Sequence, residues 1–316
     1  MIFNHIKVGC LILLFSLPFM MYGLKLNADR VMLLSKGSYF FEKTRNSADI
    51  VSIVLKFDNN KNITINKQNE LWHIKEADDY FVSFAKINTL VSLIRNTIIY
   101  RADAIKKSDT TLIENTKKIA IQSLDKNGKV IDEAFVFEKL PNNKNHYALL
   151  NNDNFLYQIN GDFNISSNPM EWIQMPILKI TNKEIKEIKC DKFMVNREFA
   201  DSVFVDIKTD KIVNNVDSFI NALWYLSAKN VFHLVNFNPN EYEKLRHYEI
   251  KLYNGIIYNT IFYRKNNSYV VKVELNRDLI MSNDGAKWLK ENGVLYNDWF
   301  FEIPEDRGEL LATFSI

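Results

Sequence analysis

The distribution of apolar residues separates one long uncharged stretch from a remainder built of alternating and amphipathic segments. Residues 8–24, VGCLILLFSLPFMMYGL, carry no charged side chain and are flanked by Lys7 and Lys25. A helix rises about 1.5 Å per residue, so a stretch of this length approaches the roughly 30 Å thickness of the hydrocarbon core of a bilayer. The pattern predicts an N-terminal transmembrane helix, with residues 1–25 forming a membrane anchor.

Two other interpretations of this stretch remain open, a cleaved signal peptide and a buried core helix. A signal peptide has a similar apolar region but ends in small residues of the A-x-A type. Met21-Tyr22-Gly23 matches that pattern poorly. Cys10 is also a poor lipidation site, because no apolar region precedes it.

The orientation of the anchor depends on the charges on its two sides. Lys25, Arg30 and Lys36 follow the apolar stretch, which by local charge favours a cytoplasmic C-terminal domain. Long domains are translocated largely regardless of charge, however, and a short basic N terminus is typical of an uncleaved export signal. We therefore expect a single-pass protein of the bacterial inner membrane with its large domain in the periplasm.

Residues 26–180 contain a succession of strands interrupted by one helix. Residues 50–57 alternate as a strand, and 63–74 is its predicted hairpin partner. Residues 79–101 have apolar side chains at helical spacing, namely Phe84, Ile87, Val91, Ile94 and Ile98. Strands 119–124 and 130–138 flank Lys126-Asn127-Gly128, a strong hairpin signal, and residues 146–159 supply two short strands.

Residues 181–316 repeat this order. Strands are predicted at 185–195 and 203–207, a helix at 217–229, a hairpin at 248–252 and 256–263 around Asn254-Gly255, and a strand at 269–275. Asn168 and Pro169 begin a short helix near the junction between the halves, and a helix at 286–291 and a strand at 299–303 complete the tail. The predicted fold class is α+β, an N-terminal transmembrane helix followed by two tandem strand–helix–strand units with mainly antiparallel sheets.

Composition and charge narrow the class of protein. An apolar fraction of 47% and a charged fraction of 25% are typical of a globular chain, so both halves are expected to have packed cores. The net charge of +2 comes from interspersed acids and bases, which argues against a nucleic-acid partner. Cys190 is the single cysteine beyond the apolar stretch, so no intramolecular disulfide is predicted there.

The polar residues match no motif of catalysis, cofactor binding or metal binding. The histidines His73, His146, His233 and His247 do not occur at metal-ligand spacing, and phosphate-binding and nucleophile-elbow glycine motifs are absent from the sequence. Asp78-Asp79 is interpreted as helix capping, and Glu302, Glu305 and Asp306 as a solvated end. We therefore predict no catalytic, cofactor-binding or metal-ligating residue.

Aromatic residues are abundant, and two groups carry specific predictions. Trp72 lies at the apolar phase of a strand and is predicted to be core, with His73 opposite it on the surface. The tyrosines at 253, 258, 263 and 269 crowd one hairpin region. They are consistent either with packing on a sheet face or with a surface that binds a partner.

The ordered segments of the first half resemble the bacterial family called domain of unknown function 4340. The resemblance rests on Gly37-Ser38-Tyr39-Phe40-Phe41, Val51-Ser52-Ile53, Leu71-Trp72-His73-Ile74, Ala77-Asp78 and Glu171-Trp172-Ile173 before the strand at 185–188. It covers residues 37–189, with the second half as a diverged copy. The usual proline after the strand that ends in the tryptophan motif is absent here.

The resemblance implies a membrane-anchored protein with tandem α+β units. Some members of that family are described as auxiliary components of gliding-motility-type ABC transporters, so it implies an accessory or scaffold role and an ABC transporter complex as a partner. No active-site residue or cofactor follows from it. The leading hypothesis is a non-enzymatic periplasmic accessory protein that docks on an inner-membrane protein complex or on a glycan or lipid carrier. The alternative is a cell-envelope hydrolase or transferase whose active site matches no motif.

Overall fold

The chain is described by a computed structural model over residues 36–47, 50–105, 114–139, 144–151, 153–178, 180–279 and 281–315. The fold is α+β with mostly antiparallel sheets, as predicted. The proposed transmembrane segment lies outside these residues. Among the helices that the structure does describe, none is both long enough and apolar enough to span a bilayer.

The helices and strands follow one another along the described chain in this order: α1 (Glu42–Asn46), β1 (Ser52–Phe57), β2 (Asn62–Gln68), β3 (Leu71–Ile74), β4 (Tyr80–Phe81), α2 (Phe84–Asn96), β5 (Ile99–Ala104), β6 (Lys118–Leu124), β7 (Val130–Phe137), β8 (His146–Leu150), β9 (Phe155–Ile159), β10 (Ile185–Lys189), β11 (Met194–Asn196), β12 (Val205–Asp206), α3 (Val216–Trp224), β13 (Asn230–His233), β14 (Glu243–Leu252), β15 (Ile256–Lys265), β16 (Ser268–Arg277), α4 (Asn283–Asn292), β17 (Trp299–Ile303) and α5 (Glu305–Thr313). Short 3₁₀ turns connect several of them, and one of these, Pro169–Glu171, is capped by the Asn168 side chain as the sequence predicted.

The chain forms two compact units, and each unit contains two separate segments of the sequence. Unit 1 contains the described residues up to Gln68 together with Ala85–Ser167, and unit 2 contains Asn69–Phe84 together with Asn168–Ile316. The sequence placed the boundary at 180/181 instead. Residues 168–180 belong to unit 2 because they bond to it: Ile177 donates its backbone N–H to Leu226 and accepts a hydrogen bond from the Tyr296 hydroxyl.

Unit 1 is built around one antiparallel sheet. Its described strands are hydrogen-bonded in the order β2-β1-β6-β7-β8-β9-β5. Alternation along the strands produces the core, since Ile53 and Leu55 of β1 are buried while their neighbours are less so. Gly128 adopts a left-handed φ of 74° in the turn between β6 and β7, which confirms the predicted hairpin.

Unit 2 has an eight-stranded antiparallel sheet in the order β12-β11-β10-β14-β15-β16-β17-β13. Helix α5 contacts α3, β15 and β16, and α4 contacts β15. The strand order repeats that of unit 1. Strands β1, β2, β5, β6, β7, β8 and β9 occupy the same sequence positions and the same places in their sheet as β10, β11, β13, β14, β15, β16 and β17.

The long helix of the first half is shorter than the predicted 79–101. Asp78 and Asp79 both have left-handed φ angles, so the chain turns there, and Tyr80–Phe81 forms β4 before α2 begins at Phe84. Beyond the helix, β5 pairs with β9. The buried stripe is Ile87, Leu90 and Ile94, whereas Phe84 is 75% exposed. The predicted helix was too long because the apolar spacing along the sequence also included residues of β4 and β5.

Other predicted elements also change their bounds. The predicted strand 63–74 is divided into β2 and β3 by a turn in which Asn69 and Glu70 have positive φ. Trp72, which was predicted to be core, is only half-buried, and Ile74 is the fully buried side chain of that strand. The predicted helix 217–229 ends at Trp224, since residues 230–233 pair with β17.

The predicted solvated end after β17 is a helix. Glu305 and Asp306 occupy the exposed first turn of α5, where negative charge is favourable, and Leu311 on the same helix is buried. Tyr248 of β14 donates a hydrogen bond of 2.7 Å to the Leu311 carbonyl. The tail is therefore part of the unit 2 core.

Candidate functional site

Unit 1 contains a cleft of about 740 Å³ where several strands of its sheet end. We call it the unit 1 cleft. It lies beside the end of β1, the start of β6, the end of β7 and the start of β8, with residues 162–165 after β9 along one side. A volume of this size is within the range of ligand-binding pockets in proteins.

The floor of the unit 1 cleft is largely apolar. It is formed by Phe57, Ile119, Val136, Phe137, Phe163 and Ile165 together with the ring of His146. Phe137 and Phe163 are buried, and the Phe163 ring meets the His146 ring edge to face at 5.6 Å. Ile119 and Ile165 are half-buried, so apolar surface remains available inside the cleft.

The rim of the unit 1 cleft carries equal numbers of acidic and basic residues. These are Lys117, Lys118 and Lys139, and Asp58, Glu138 and Asp162. The backbone N–H of Lys118 donates to Asp58 Oδ2 at 2.7 Å, which fixes that carboxylate at the end of β1. The N–H of Glu138 donates to the Lys117 carbonyl at 2.7 Å, which holds the facing ends of β6 and β7 together.

His146 is the buried titratable group of the floor. Its Nδ1 lies 2.9 Å from the Phe137 carbonyl oxygen, which is an acceptor, so Nδ1 carries the proton and donates. In the neutral ring Nε2 is then the acceptor nitrogen. The arrangement orients the ring and fits a binding surface that offers one hydrogen-bond acceptor among apolar side chains.

His73, His233 and His247 each contact other groups of the fold. His73 Nδ1 contacts the Asp79 carbonyl at 2.8 Å, His233 packs against the Trp299 ring at 4.8 Å, and His247 Nε2 lies 3.2 Å from Asn259 Oδ1. Within the described part of the chain, no group of three or more histidine, cysteine, aspartate or glutamate side chains could hold a metal ion.

Asp78 has a different structural role from the helix cap that the sequence suggested. Its Oδ2 accepts the backbone N–H of His233 at 2.6 Å, and its Oδ1 accepts from Asn236 Nδ2 at 2.6 Å. The carboxylate therefore binds the end of β13 and the loop that follows it. Sequence reasoning missed this contact because its partners are more than 150 residues away.

The tyrosines of the β14–β16 region are divided between core and surface. Tyr258 and Tyr269 are buried, and burial raises the pKa of the Tyr258 hydroxyl far above its ordinary value, with Tyr296 and Glu184 adding to the shift. Tyr253 is 39% exposed. Packing therefore accounts for Tyr258 and Tyr269, two of the four tyrosines. An exposed aromatic pair lies elsewhere in unit 2, where Trp224 and Tyr225 stack at 5.2 Å.

The register of the β6–β7 hairpin was the signal that could have located the unit 1 cleft. Lys118 lies opposite Phe137, so the paired charges at 117–118 and 138–139 meet at one end of the hairpin. The sequence did not indicate that residues 162–165 line the same space.

No family model, curated protein or solved structure matches this chain. The function is therefore inferred from the residues themselves. The unit 1 cleft has an apolar floor and charges of both signs around it, a combination that suits a ligand-binding site.

Proposed function

We propose that this protein is a membrane-anchored accessory or scaffold protein of the bacterial inner membrane, and that the unit 1 cleft binds a segment of a protein partner. The observation that carries the proposal is the combination of an apolar floor and a rim with three lysines and three carboxylates. The floor accommodates an apolar side chain, and the rim complements a ligand that carries charges of both signs.

The mixed rim favours a polypeptide over other ligand classes. A nucleic acid or an anionic lipid headgroup requires an excess of positive charge, and the rim has none. A peptide offers backbone donors and acceptors alongside side chains of either sign. His146, with its ring oriented by the Phe137 carbonyl, supplies an acceptor for such a backbone.

The proposed membrane anchor and the proposed duplication of the strand–helix–strand unit support the same role. The uncharged stretch at residues 8–24 is long enough to anchor the chain by one helix, with the large domain in the periplasm. The shared strand order of the two units supports an origin as tandem copies of one strand–helix–strand unit. With the resemblance of the first half, these features favour an ABC transporter complex of the inner membrane as the partner.

The proposal is tested by photo-crosslinking in cells from the rim of the cleft. A photo-reactive phenylalanine analogue replaces Asn164, which is exposed and lines the cleft, or Asn127, which is exposed in the β6–β7 turn. The two positions carry the same native residue. Asn127 precedes the start of β7, whereas the cleft lies at the other end of that eight-residue strand, which spans about 23 Å. We expect an adduct with an integral membrane protein from position 164 and none from position 127.

A substitution in the floor of the unit 1 cleft tests whether formation of the adduct depends on the cleft. Ile165→Asp places a charge against the apolar floor and should abolish the adduct, whereas Ile165→Val should preserve it. The cleft is not the binding site if position 164 gives no adduct, if both positions give the same one, or if Ile165→Asp leaves it unchanged. An adduct with a soluble protein would contradict the role at the membrane.

A further inference from the structure

A buried arginine lies in unit 2, on the inward-facing side of β14. Arg246, Tyr248, Ile250 and Leu252 alternate on the buried face of this strand. The register between β14 and β15 shifts between Lys244 and Arg246, so a β-bulge sets the phase of the strand at this point. Arg246 is only 6% exposed. A cation at an inward position of a strand contradicts the usual apolar pattern and is a signal of function.

The guanidinium of Arg246 is incompletely paired. Its Nη1 makes long contacts with Cys190 Sγ at 3.8 Å and with the Phe314 carbonyl at 3.4 Å. Its Nε lies 3.5 Å from Asp191 Oδ1, yet among the described residues this buried nitrogen has no hydrogen-bond partner. The Asp191 side chain is 67% exposed, so it is a loosely held counter-ion. A buried N–H without a partner is unfavourable, and a better acceptor would relieve it.

Arg246 also lines a pocket of about 460 Å³. We call it the Arg246 pocket. Lys189 and Lys244 add two more cations, His247 lies at its edge, and Asp191 and Glu249 are its acidic residues. The Lys189 and Glu249 positions face each other where β10 pairs with β14. Formal charge in the pocket is therefore positive with His247 neutral, in contrast to the neutral rim of the unit 1 cleft.

We propose that the Arg246 pocket binds a small oxyanion, the carboxylate or phosphate group of a ligand, through the guanidinium of Arg246. An oxyanion supplies the acceptor that Arg246 Nε lacks, and Lys189 and Lys244 complement the remaining charge. In the absence of ligand, the Asp191 carboxylate contacts the guanidinium of Arg246, so it competes with the oxyanion for that position. The site lies within unit 2, so it stands independently of the unit 1 cleft.

Cys190 provides a reporter for occupancy because its half-buried thiol lines the same pocket. The full chain is prepared with Cys10→Ser, which leaves Cys190 as its single thiol. Alkylation by iodoacetamide, a neutral reagent, is followed at constant pH with inorganic phosphate, acetate or chloride at equal ionic strength. At ten times the dissociation constant, a bound oxyanion should slow alkylation about tenfold, and chloride should not. Protection by phosphate alone or by acetate alone identifies the group that the pocket takes.

Three variants test whether the protection of Cys190 from alkylation depends on Arg246. Arg246→Gln should remove the protection. Asp191→Asn, at an exposed position that is compatible with folding, should lower the oxyanion concentration needed for half-maximal protection severalfold, since it removes the internal competitor. Arg264→Gln is the control, because the Arg264 side chain is 42% exposed and pairs with Glu243 outside the pocket. The proposal is wrong if neither oxyanion protects, if chloride protects equally, if Arg246→Gln retains protection or if Asp191→Asn weakens it.

Discussion

At the scale of single residues, Gly308 is a tightly packed position of unit 2. It lies on α5, and a Cβ built there would be 2.2 Å from Tyr269 Cγ and 2.3 Å from Tyr269 Cβ. Tyr269 belongs to β16 and is itself buried, so it has no free volume into which to move. The absence of a side chain at Gly308 is therefore what allows α5 to approach the sheet.

We predict that Gly308→Ala destabilises unit 2 by about 1–3 kcal/mol, the usual cost of overpacking a core, despite the higher helix propensity of alanine. The free energy of unfolding is measured by urea denaturation. Gly293→Ala is the matched control, since its nearest neighbour would be Leu289 Cδ1 at 4.0 Å and its backbone is right-handed helical. That variant should be neutral or slightly stabilising. Equal effects of the two substitutions would mean that α5 does not pack as closely as described.

At the scale of elements, the β3–β4 hairpin is separated in sequence from the rest of its unit. Tyr80 of β4 is buried, its ring meets Trp299 at 4.9 Å and Phe301 at 5.6 Å, and its hydroxyl donates to the Leu295 carbonyl at 2.9 Å. Burial raises the pKa of this hydroxyl far above its ordinary value, with Tyr296 adding to the shift. The segment Asn69–Phe84 is thus part of the hydrophobic core of unit 2.

We predict that a fragment of residues 168–316 is less stable than unit 2 in the full chain, and that a synthetic peptide of residues 69–84 raises its melting temperature. The reason is that the fragment alone exposes the surfaces that Tyr80 and Asp78 cover. A peptide with Tyr80→Ala should be much less effective, because removing a large buried aromatic costs roughly 3–5 kcal/mol. Both peptides are compared at equal concentrations in thermal melts. If the fragment melts as unit 2 does in the full chain and neither peptide changes it, the hairpin is not an integral part of this unit.

At the scale of the whole molecule, the proposed function depends on the apolar stretch at residues 8–24. We predict that Leu14→Arg releases the protein from the membrane or misplaces it, since an arginine near the centre of a spanning helix disfavours insertion by about 2.5–3.5 kcal/mol. Carbonate extraction followed by detection of the full chain measures the retained fraction. Leu14→Ile is the conservative control and should remain in the membrane fraction. Full retention of the arginine variant would remove the anchor from the proposal.

The sequence by itself determined the features that depend on neighbouring residues. Alternation of apolar and polar side chains located most strands, and glycines able to adopt positive φ marked the hairpin turns at Gly128 and Gly255. It also indicated the α+β class and the repeated order of elements, because each is a sum of such local patterns. For the unit 1 cleft, the β6–β7 register could have been predicted from the hairpin alone.

Only the tertiary structure decided which segments belong together. Asn69–Phe84 belongs to unit 2, Asp78 accepts hydrogen bonds from the β13 region, and β13 pairs with β17. Each of these arrangements joins parts of the chain that are distant in sequence. The same is true of residues 162–165 in the unit 1 cleft and of the bulge that precedes Arg246. These arrangements are selected by the free energy of long-range burial and hydrogen bonding, which no local pattern of residues expresses.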